Sequence, residues 1–205
     1  MIEAHPAPSA RAAGELPSAP GYPDVRFLDV PLRRMFVIEG TGTPRGDPAF
    51  QQAIETLYPV AYALHFALRR ERGVQAPIGT LEALWMLEGD AEPDTPGPIW
   101  RWTAMLPIPD EATDDEIVEA IDEVRERRAP AALARLQVDR YHEGLAAEIE
   151  HDGPFEAEPP TIARLHAAIA AAGRLVRGPH HEVYLSDPDR TPPERLRTII
   201  RYAIE

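Results

Sequence analysis

The chain has 205 residues with a hydrophobic content of 44%, which is enough for one good-sized domain or two small fused modules. Its formal net charge is −13, which argues against binding to nucleic acid or to an anionic membrane, because both require clustered positive charge. All 21 basic residues are Arg and Cys is absent, which excludes Lys-based covalent chemistry, disulfides and thiol catalysis.

Residues 1–22, MIEAHPAPSARAAGELPSAPGY, are rich in Pro and Ala and carry few large apolar side chains. Such a segment cannot bury enough surface to offset the entropy of ordering, so we predict a flexible leader. The segment does not resemble a signal peptide, and no later run is apolar for long enough to span a bilayer. We therefore expect a cytoplasmic protein whose folded domain occupies residues 23–205.

The first half of this domain begins with strand-like residues centred on 35–39, followed by a helix. Asp47 suits the N-cap of this helix, Pro48 its first turn and Gly73 its end, while Pro59 is expected to kink it. Its apolar positions recur at spacings of three and four: Phe50, Ile54, Leu57, Ala61, Leu64 and Leu68. Two strand-like runs follow, IGTLEALWML and PIWRWTAMLPI, and the acidic loop EGDAEPDTPG between them predicts a hairpin with a long connection.

A helical linker is predicted at 113–135, because Thr113 and Glu116 form a capping-box pattern ahead of a periodic apolar face. The run AALARLQVDRYHEG predicts another short helix and turn. The second half then reads as a strand in LAAEIEHDG and a helix in PPTIARLHAAIAAAGRL. Two further strands flank the Pro-rich turn of HHEVYLSDPDRTPPERLRTIIRYAI.

The two halves repeat the same order of elements, strand–helix–strand–strand, over 35–106 and 145–204. This repeat predicts an α+β fold built from two pseudo-twofold-related modules, at about 24–110 and 140–205. We expect the modules to form a curved antiparallel sheet with helices on its outer face, and a groove between them.

The most informative single residue is Glu182, which strand alternation places on the same face as Tyr184 and opposite His181 and Val183. A poorly hydrated carboxylate beside aromatic rings attracts a cation, with roughly 0.5–2 kcal/mol added by each well-placed ring. The same carboxylate could instead act as a general base toward water. A third interpretation is an exposed strand Glu with Tyr and Trp side chains that only pack.

Other chemistries find little support in the sequence. His180 and His181 are adjacent, so on a strand they point apart, and there is no HExxH motif; we expect no metal site. The run EGTGTPRG lacks the frame of a phosphate-binding loop, and Ser186 lacks a nucleophile-elbow motif. We therefore expect no cofactor.

Three stretches resemble the GyrI-like small-molecule-binding proteins, and the resemblance covers residues 24–205. LYPVAYALHFALRR is similar to the first helix of that family, IWRWTAMLPIPDEAT to its fourth strand, and HHEVYLSDPDRTPPERLRTIIRYAI to its C-terminal hairpin. The resemblance implies two strand–helix–strand–strand modules. It also implies lipophilic, often cationic ligands held near a buried Glu; Glu182 occupies the matching position, Tyr184 follows it, and Trp102 matches the aromatic of the WTAM strand.

The resemblance leaves three functions open. The first is a stand-alone binder of lipophilic, aromatic, often cationic small molecules, in multidrug recognition or sequestration. The alternative is a hydrolase that opens the cyclopropane of DNA-alkylating natural products, with Glu182 as base and Tyr184 as hydrogen-bond donor to the product. The third is a gyrase-inhibitor-like protein-binding factor.

The predicted ligand-binding residues are shared between the hairpin, the WTAM strand and the first helix. They are Glu182, Tyr184, Trp102, Trp100, Tyr58, Tyr62, Phe66 and His65, the last standing where many relatives carry Lys. We expect a small-molecule partner, no direct contact with nucleic acid and no membrane; the oligomeric state is not predicted.

Overall fold

The computed structural model describes residues 13–43, 47–87, 100–188 and 190–205, with backbone alone at 13–15. The α-helices of these ranges are α1 (Pro48–Arg72), α2 (Asp114–Arg127) and α3 (Pro159–Ala171). The strands are β1 (Ala13–Leu16), β2 (Val25–Val30), β3 (Arg33–Gly42), β4 (Glu82–Leu87), β5 (Trp100–Pro107), β6 (Gln137–Tyr141), β7 (Gly144–Asp152), β8 (Val176–Tyr184) and β9 (Arg197–Ile204). Within the described ranges, no helix is both long and apolar enough to cross a membrane.

Of the described residues, one of the two compact units contains 33–43, 47–81, 86–87 and 100–141. Its central strand is β3, which pairs antiparallel with β5 on one side and with β6 on the other. Helix α1 packs against β3 and β5, and α2 packs against α1. The buried side of α1 carries Ala53, Thr56, Leu57, Val60, Ala61, Leu64 and Leu68.

The other unit contains residues 13–32, 82–85 and 142–205 of the described chain. Its strands follow the order β1-β2-β7-β9-β8-β4, and each neighbouring pair in this order is antiparallel. Helix α3 packs against β7, and its apolar face closes a core. That core contains Val25, Phe27, Ala147, Ile149, Leu165, Ala168, Ile169, Ile200, Tyr202 and Ile204.

Local sequence signals place both ends of α1 and the start of α2 where the sequence predicts them. Asp47 caps α1, since its carboxylate accepts a hydrogen bond from the Ala49 N–H at 2.7 Å. Gly73 ends α1 in the left-handed conformation with φ of 65°, which a residue without Cβ adopts at little cost. The capping box of Thr113 and Glu116 is present at the start of α2.

The α+β fold class and the antiparallel pairing are confirmed, and both halves run strand, helix, strand, strand along the chain. Two segments differ from the sequence expectation. Residues 13–16, inside the predicted flexible leader, form β1 and pair with β2. The run expected to form a short helix and turn is a single 3-10 turn, Leu133–Arg135, followed by β6, which pairs with β3. The acidic loop EGDAEPDTPG lies outside the described residues.

Candidate functional site

The candidate site is built on β8, where Glu182 and Tyr184 lie on one face as strand alternation predicts. The Tyr184 hydroxyl donates a hydrogen bond to Glu182 Oε2 at 2.5 Å. Glu182 is 9% exposed, so its carboxylate is nearly removed from bulk water. Its charge is therefore stabilised mainly by the side chains that touch it.

His180 extends the same face of β8 and contacts the second carboxylate oxygen. Its Nε2 lies 3.0 Å from Glu182 Oε1, and its Nδ1 lies 2.8 Å from the Tyr202 hydroxyl. Tyr202 belongs to the neighbouring strand β9. The resulting chain, Tyr202 to His180 to Glu182, fixes the imidazole ring at both nitrogens and thereby fixes the carboxylate.

Two aromatic side chains of the same unit contact Tyr184, the hydrogen-bond donor to this carboxylate. Trp85 sits opposite His180 in the register of β4 and β8, and its Nε1–H donates to the Tyr184 hydroxyl at 3.1 Å. Phe155 meets the Tyr184 ring edge-on with the centroids 6.0 Å apart. The site therefore combines the Glu182 carboxylate with indole, phenol and phenyl rings, a composition that suits a flat apolar ligand.

Both phenols of the site stay protonated. Burial, followed by the neighbouring Glu182 charge, raises the pKa of Tyr184 well above its usual range. The same two causes, in the same order, raise the pKa of Tyr202 to about 12. Each hydroxyl therefore keeps its hydrogen at neutral pH, and Tyr184 holds Glu182 as a neutral donor rather than as a charged partner.

A second carboxylate approaches the same place from the start of α3. Glu158 is 5% exposed and occupies the N-cap position of that helix. One ligating atom from each of Glu158, His180 and Glu182 lies within 4.8 Å of the other two. The site thus brings two nearly buried carboxylates and an imidazole together.

The opposite face of β8 carries a different buried network. His181 is fully buried, with Nδ1 2.9 Å from Glu143 Oε1 and Nε2 3.1 Å from Glu82 Oε2. Arg201 donates to Glu143 at 3.3 Å and to Glu148 at 2.7 Å. In this network each carboxylate contacts either the Arg201 guanidinium or the His181 imidazole, which can carry a positive charge.

The electrostatics of this network favour the charged forms. Burial opposes protonation of His181, but Glu143 and then Glu82 outweigh it and raise the pKa of His181. Burial also opposes ionisation of Glu143, but His181 and Arg201 lower the pKa of that carboxyl below its usual range. These groups form compensated pairs, and this predicts a structural role for them.

The tryptophans predicted to stack on a ligand lie on β5, in the other unit. Trp102 is 1% exposed, and Phe50 of α1 meets it edge-on with the centroids 5.2 Å apart. Its ring lies against Gly40 on the neighbouring strand β3, and a Cβ atom at Gly40 would stand 2.2 Å from the ring. Trp102 is thus packed in the core of its unit, whereas Trp100 is half-buried opposite Gly42. Their stacking on a ligand stays a prediction.

The predicted mouth residues form an aromatic row on α1. Tyr62 and Phe66 are about half exposed and stack with centroids 6.2 Å apart, and Tyr58 lies 6.4 Å from Tyr62. Tyr58 also lines a cavity of about 520 Å³ between α1 and the residues after α2. His65 donates from Nδ1 to the Ala76 carbonyl at 2.6 Å, which ties α1 to the chain after it. Ligand contacts by this row also stay a prediction.

Five contributors to the Glu182 site are absent from the sequence prediction: Trp85, Phe155, Glu158, His180 and Tyr202. His180 could have been found, because it stands two residues before Glu182 on the same strand face. Trp85 and Tyr202 depend on the register between strands, and Glu158 on where α3 begins, so local sequence patterns do not reveal them.

Comparison with known proteins agrees with this fold. The family model for the GyrI-like small molecule binding domain matches residues 23–204. An uncharacterized conserved protein from Listeria innocua is 28% identical with a TM-score of 0.80, over 89% of this chain and 92% of that chain. A hydrolase from Listeria innocua is 27% identical with a TM-score of 0.75 over the same shares. The EcmrR C-terminal domain, 9% identical with a TM-score of 0.52 over 88% of this chain and 96% of that chain, shares the fold. The search of curated proteins found no match.

Proposed function

This chain belongs to the GyrI-like small-molecule-binding domain family, and we propose that it is a hydrolase that adds water to a flat, apolar, strained electrophile. The observation that carries this proposal is the burial of the Glu182 carboxylate together with the identity of its hydrogen-bond partners. Its carboxylate is nearly buried, yet among the described side chains its hydrogen-bond partners are Tyr184 and His180 and not an Arg. A carboxylate held this way keeps lone pairs for a proton, which a carboxylate clamped by a guanidinium does not.

The proposed reaction uses Glu182 as the general base, a role typically worth 10² to 10⁴ in rate. Glu182 takes a proton from water while the water oxygen bonds to a cyclopropane carbon of the substrate. The cyclopropane C–C bond breaks, and its electron pair moves through the conjugated ring to oxygen, which becomes a phenolate. The proton on Glu182 then passes to that phenolate, so the product is the substrate plus one water.

The neighbouring side chains position the base. Tyr184 donates to one oxygen of Glu182 and accepts a hydrogen bond from Trp85, so in the resting site its hydrogen is already engaged. We therefore assign Tyr184 first to orienting Glu182, and its donation to the product phenolate stays a prediction. The rings of Trp85, Tyr184 and Phe155 supply apolar contact area for a flat substrate.

The hydrolase from Listeria innocua supports this choice, since it is 27% identical and matches over nearly its whole length. A second candidate is binding of lipophilic cations without turnover. The specific observation in its favour is the second carboxylate, Glu158, which lies near Glu182 and adds negative charge to a poorly hydrated site.

The test is incubation of the full chain with a cyclopropane-bearing DNA alkylator, followed by mass spectrometry for the product one water heavier. Glu182→Gln should lower turnover by about 10² to 10⁴. Glu194→Gln, on an exposed turn, is the matched control and should leave turnover unchanged. No water adduct, or equal turnover in Glu182→Gln, would overturn the hydrolytic proposal.

The binding candidate is separated by dye titration followed through Trp fluorescence. If the protein is a cation binder, Glu182→Gln weakens a cationic dye far more than a neutral dye of the same shape. Equal weakening of both dyes would count against a counter-charge role for Glu182.

A further inference from the structure

We propose that Glu158, His180 and Glu182 form a binding site for a first-row divalent metal ion of the Zn²⁺ class. One nitrogen of His180 and one oxygen of each carboxylate lie within 4.8 Å of one another. This inference concerns what the three side chains bind, and it does not depend on the hydrolytic role proposed for Glu182.

The negative charge of the two carboxylates favours a bound cation. Glu158 is 5% exposed and Glu182 is 9% exposed, and their ligating oxygens are within reach of a single ion. Two carboxylates at this separation repel each other, and poor hydration strengthens the repulsion. A divalent cation between them would remove this repulsion.

The direction of the Glu158 side chain also favours a metal site. Glu158 is the N-cap residue of α3, a position where an oxygen side chain ordinarily accepts from the first free N–H groups. The helix begins with Pro159 and Pro160, which have no N–H to offer. Among the described residues, its carboxylate makes no capping hydrogen bond with α3, and it is directed instead toward His180 and Glu182.

The hydrogen bonds that Tyr202 and Tyr184 make to the two ligating side chains of β8 also favour a metal site. Ligating His side chains usually bond through the far ring nitrogen to a fixed oxygen, which sets the tautomer and the ring orientation. His180 has this arrangement, since its Nδ1 lies 2.8 Å from the Tyr202 hydroxyl and its Nε2 points toward Glu182. Tyr184 likewise holds Glu182 Oε2, which leaves Oε1 as the ligating atom.

The donor set selects the class of ion. One imidazole nitrogen and two carboxylate oxygens suit Zn²⁺ or a similar first-row ion, whereas Ca²⁺ and Mg²⁺ prefer oxygen alone. Bonds of about 2.0–2.2 Å to a single ion would require the three ligating atoms to shift from their present spacing. The ion would replace the contact between His180 Nε2 and Glu182 Oε1.

Metal binding is tested on the full chain after chelator treatment, with no substrate present. Zn²⁺ is titrated by calorimetry, and Co²⁺ by its visible absorption, which reports nitrogen and oxygen coordination. We expect one equivalent of each ion to bind. Glu158→Gln and His180→Asn should each weaken binding by tenfold or more, as is typical when a ligand is lost or disturbed.

The matched control is Glu156→Gln, because Glu156 is exposed two residues before Glu158 and should not affect affinity. Circular dichroism shows whether each variant is folded. Absence of binding to the unaltered chain would refute the site, as would equal affinity in folded Glu158→Gln and His180→Asn. Turnover measured in chelator tests the hydrolytic proposal alone, so the two proposals fail separately.

Discussion

The two faces of β8 carry adjacent histidines in opposite electrostatic settings. On one face His181 is enclosed by Glu82 and Glu143, with Arg201 completing the compensation of charge. On the other face His180 and Tyr184 hold Glu182 through hydrogen bonds from uncharged or weakly basic groups. The strand thus separates a network of paired charges from a carboxylate held without a strong cation.

The difference shows how burial can serve either stability or chemistry. Removing a partner from a paired network leaves an uncompensated buried charge, which is severely destabilising. A carboxylate held by a phenol and an imidazole, without a guanidinium, has less to lose in stability and more capacity to take a proton or bind a cation. We therefore expect substitutions on the His181 face to change mainly folding, and those on the Glu182 face to change mainly function.

The largest effect should come from Arg201→Met, which keeps much of the side-chain volume and removes the charge. Glu143 and Glu148 would lose their shared guanidinium, so the free energy of unfolding should fall by about 3 to 5 kcal/mol. Urea unfolding measures it, with the exposed Arg174→Met as the control. A loss no greater than that of the control would show that the network does not stabilise the fold.

The next effect is the pH dependence that His181 gives to stability. Its pKa is raised above the ordinary value of 6.5, so its contribution is complete below that pH and is lost as the pH rises through the raised value. Glu143, whose pKa is lowered from 4.5, acts in the opposite direction and loses its contribution in acid. Stability of the unaltered chain should therefore decline above about pH 6.5.

His181→Gln should remove this decline and cost about 1 to 3 kcal/mol at mildly acidic pH, because the charged partner of two carboxylates is lost. Urea unfolding across the pH range measures both changes, and the exposed His142→Gln is the control. If His181→Gln keeps the slope of the unaltered chain, another group sets the pH dependence.

How far the sequence predicts these features depends on how local each one is. The ends of α1 were predicted from Asp47 and Gly73, and the start of α2 from Thr113 and Glu116, because capping is decided within a few residues. The shared face of Glu182 and Tyr184 follows equally from alternation along one strand.

Features that depend on distant parts of the chain were not predictable in the same way. Trp85 reaches Tyr184 only because β4 pairs with β8 in one register, and a shift of one residue would turn it to the other face. The strand at 13–16 exists through its pairing with β2, which outweighs a composition typical of disorder. The pairing of His181 with Glu82 and Glu143 likewise requires the assembled sheet.

A smaller effect should follow Tyr184→Phe, which removes the hydroxyl between Trp85 and Glu182. The loss of a hydrogen bond to a charged group in a partly buried site should lower the free energy of unfolding by about 1.5 kcal/mol. Thermal unfolding measures it, with Tyr62→Phe on the exposed side of α1 as the control. Equal values for the two variants would mean that Glu182 is held by other contacts.

The smallest effect on folding should be that of Glu182→Gln, compared with Glu143→Gln on the opposite face. The new amide oxygen can still accept from Tyr184, and the repulsion from Glu158 disappears, so stability should change by less than about 1 kcal/mol. Glu143→Gln removes a charge on which both His181 and Arg201 depend, and should cost several times more. Urea unfolding of the two variants at one pH measures the difference directly. Equal losses would erase the distinction between the faces and mark Glu182 as a structural charge, because a group kept for proton transfer or ligand binding should be nearly dispensable for folding.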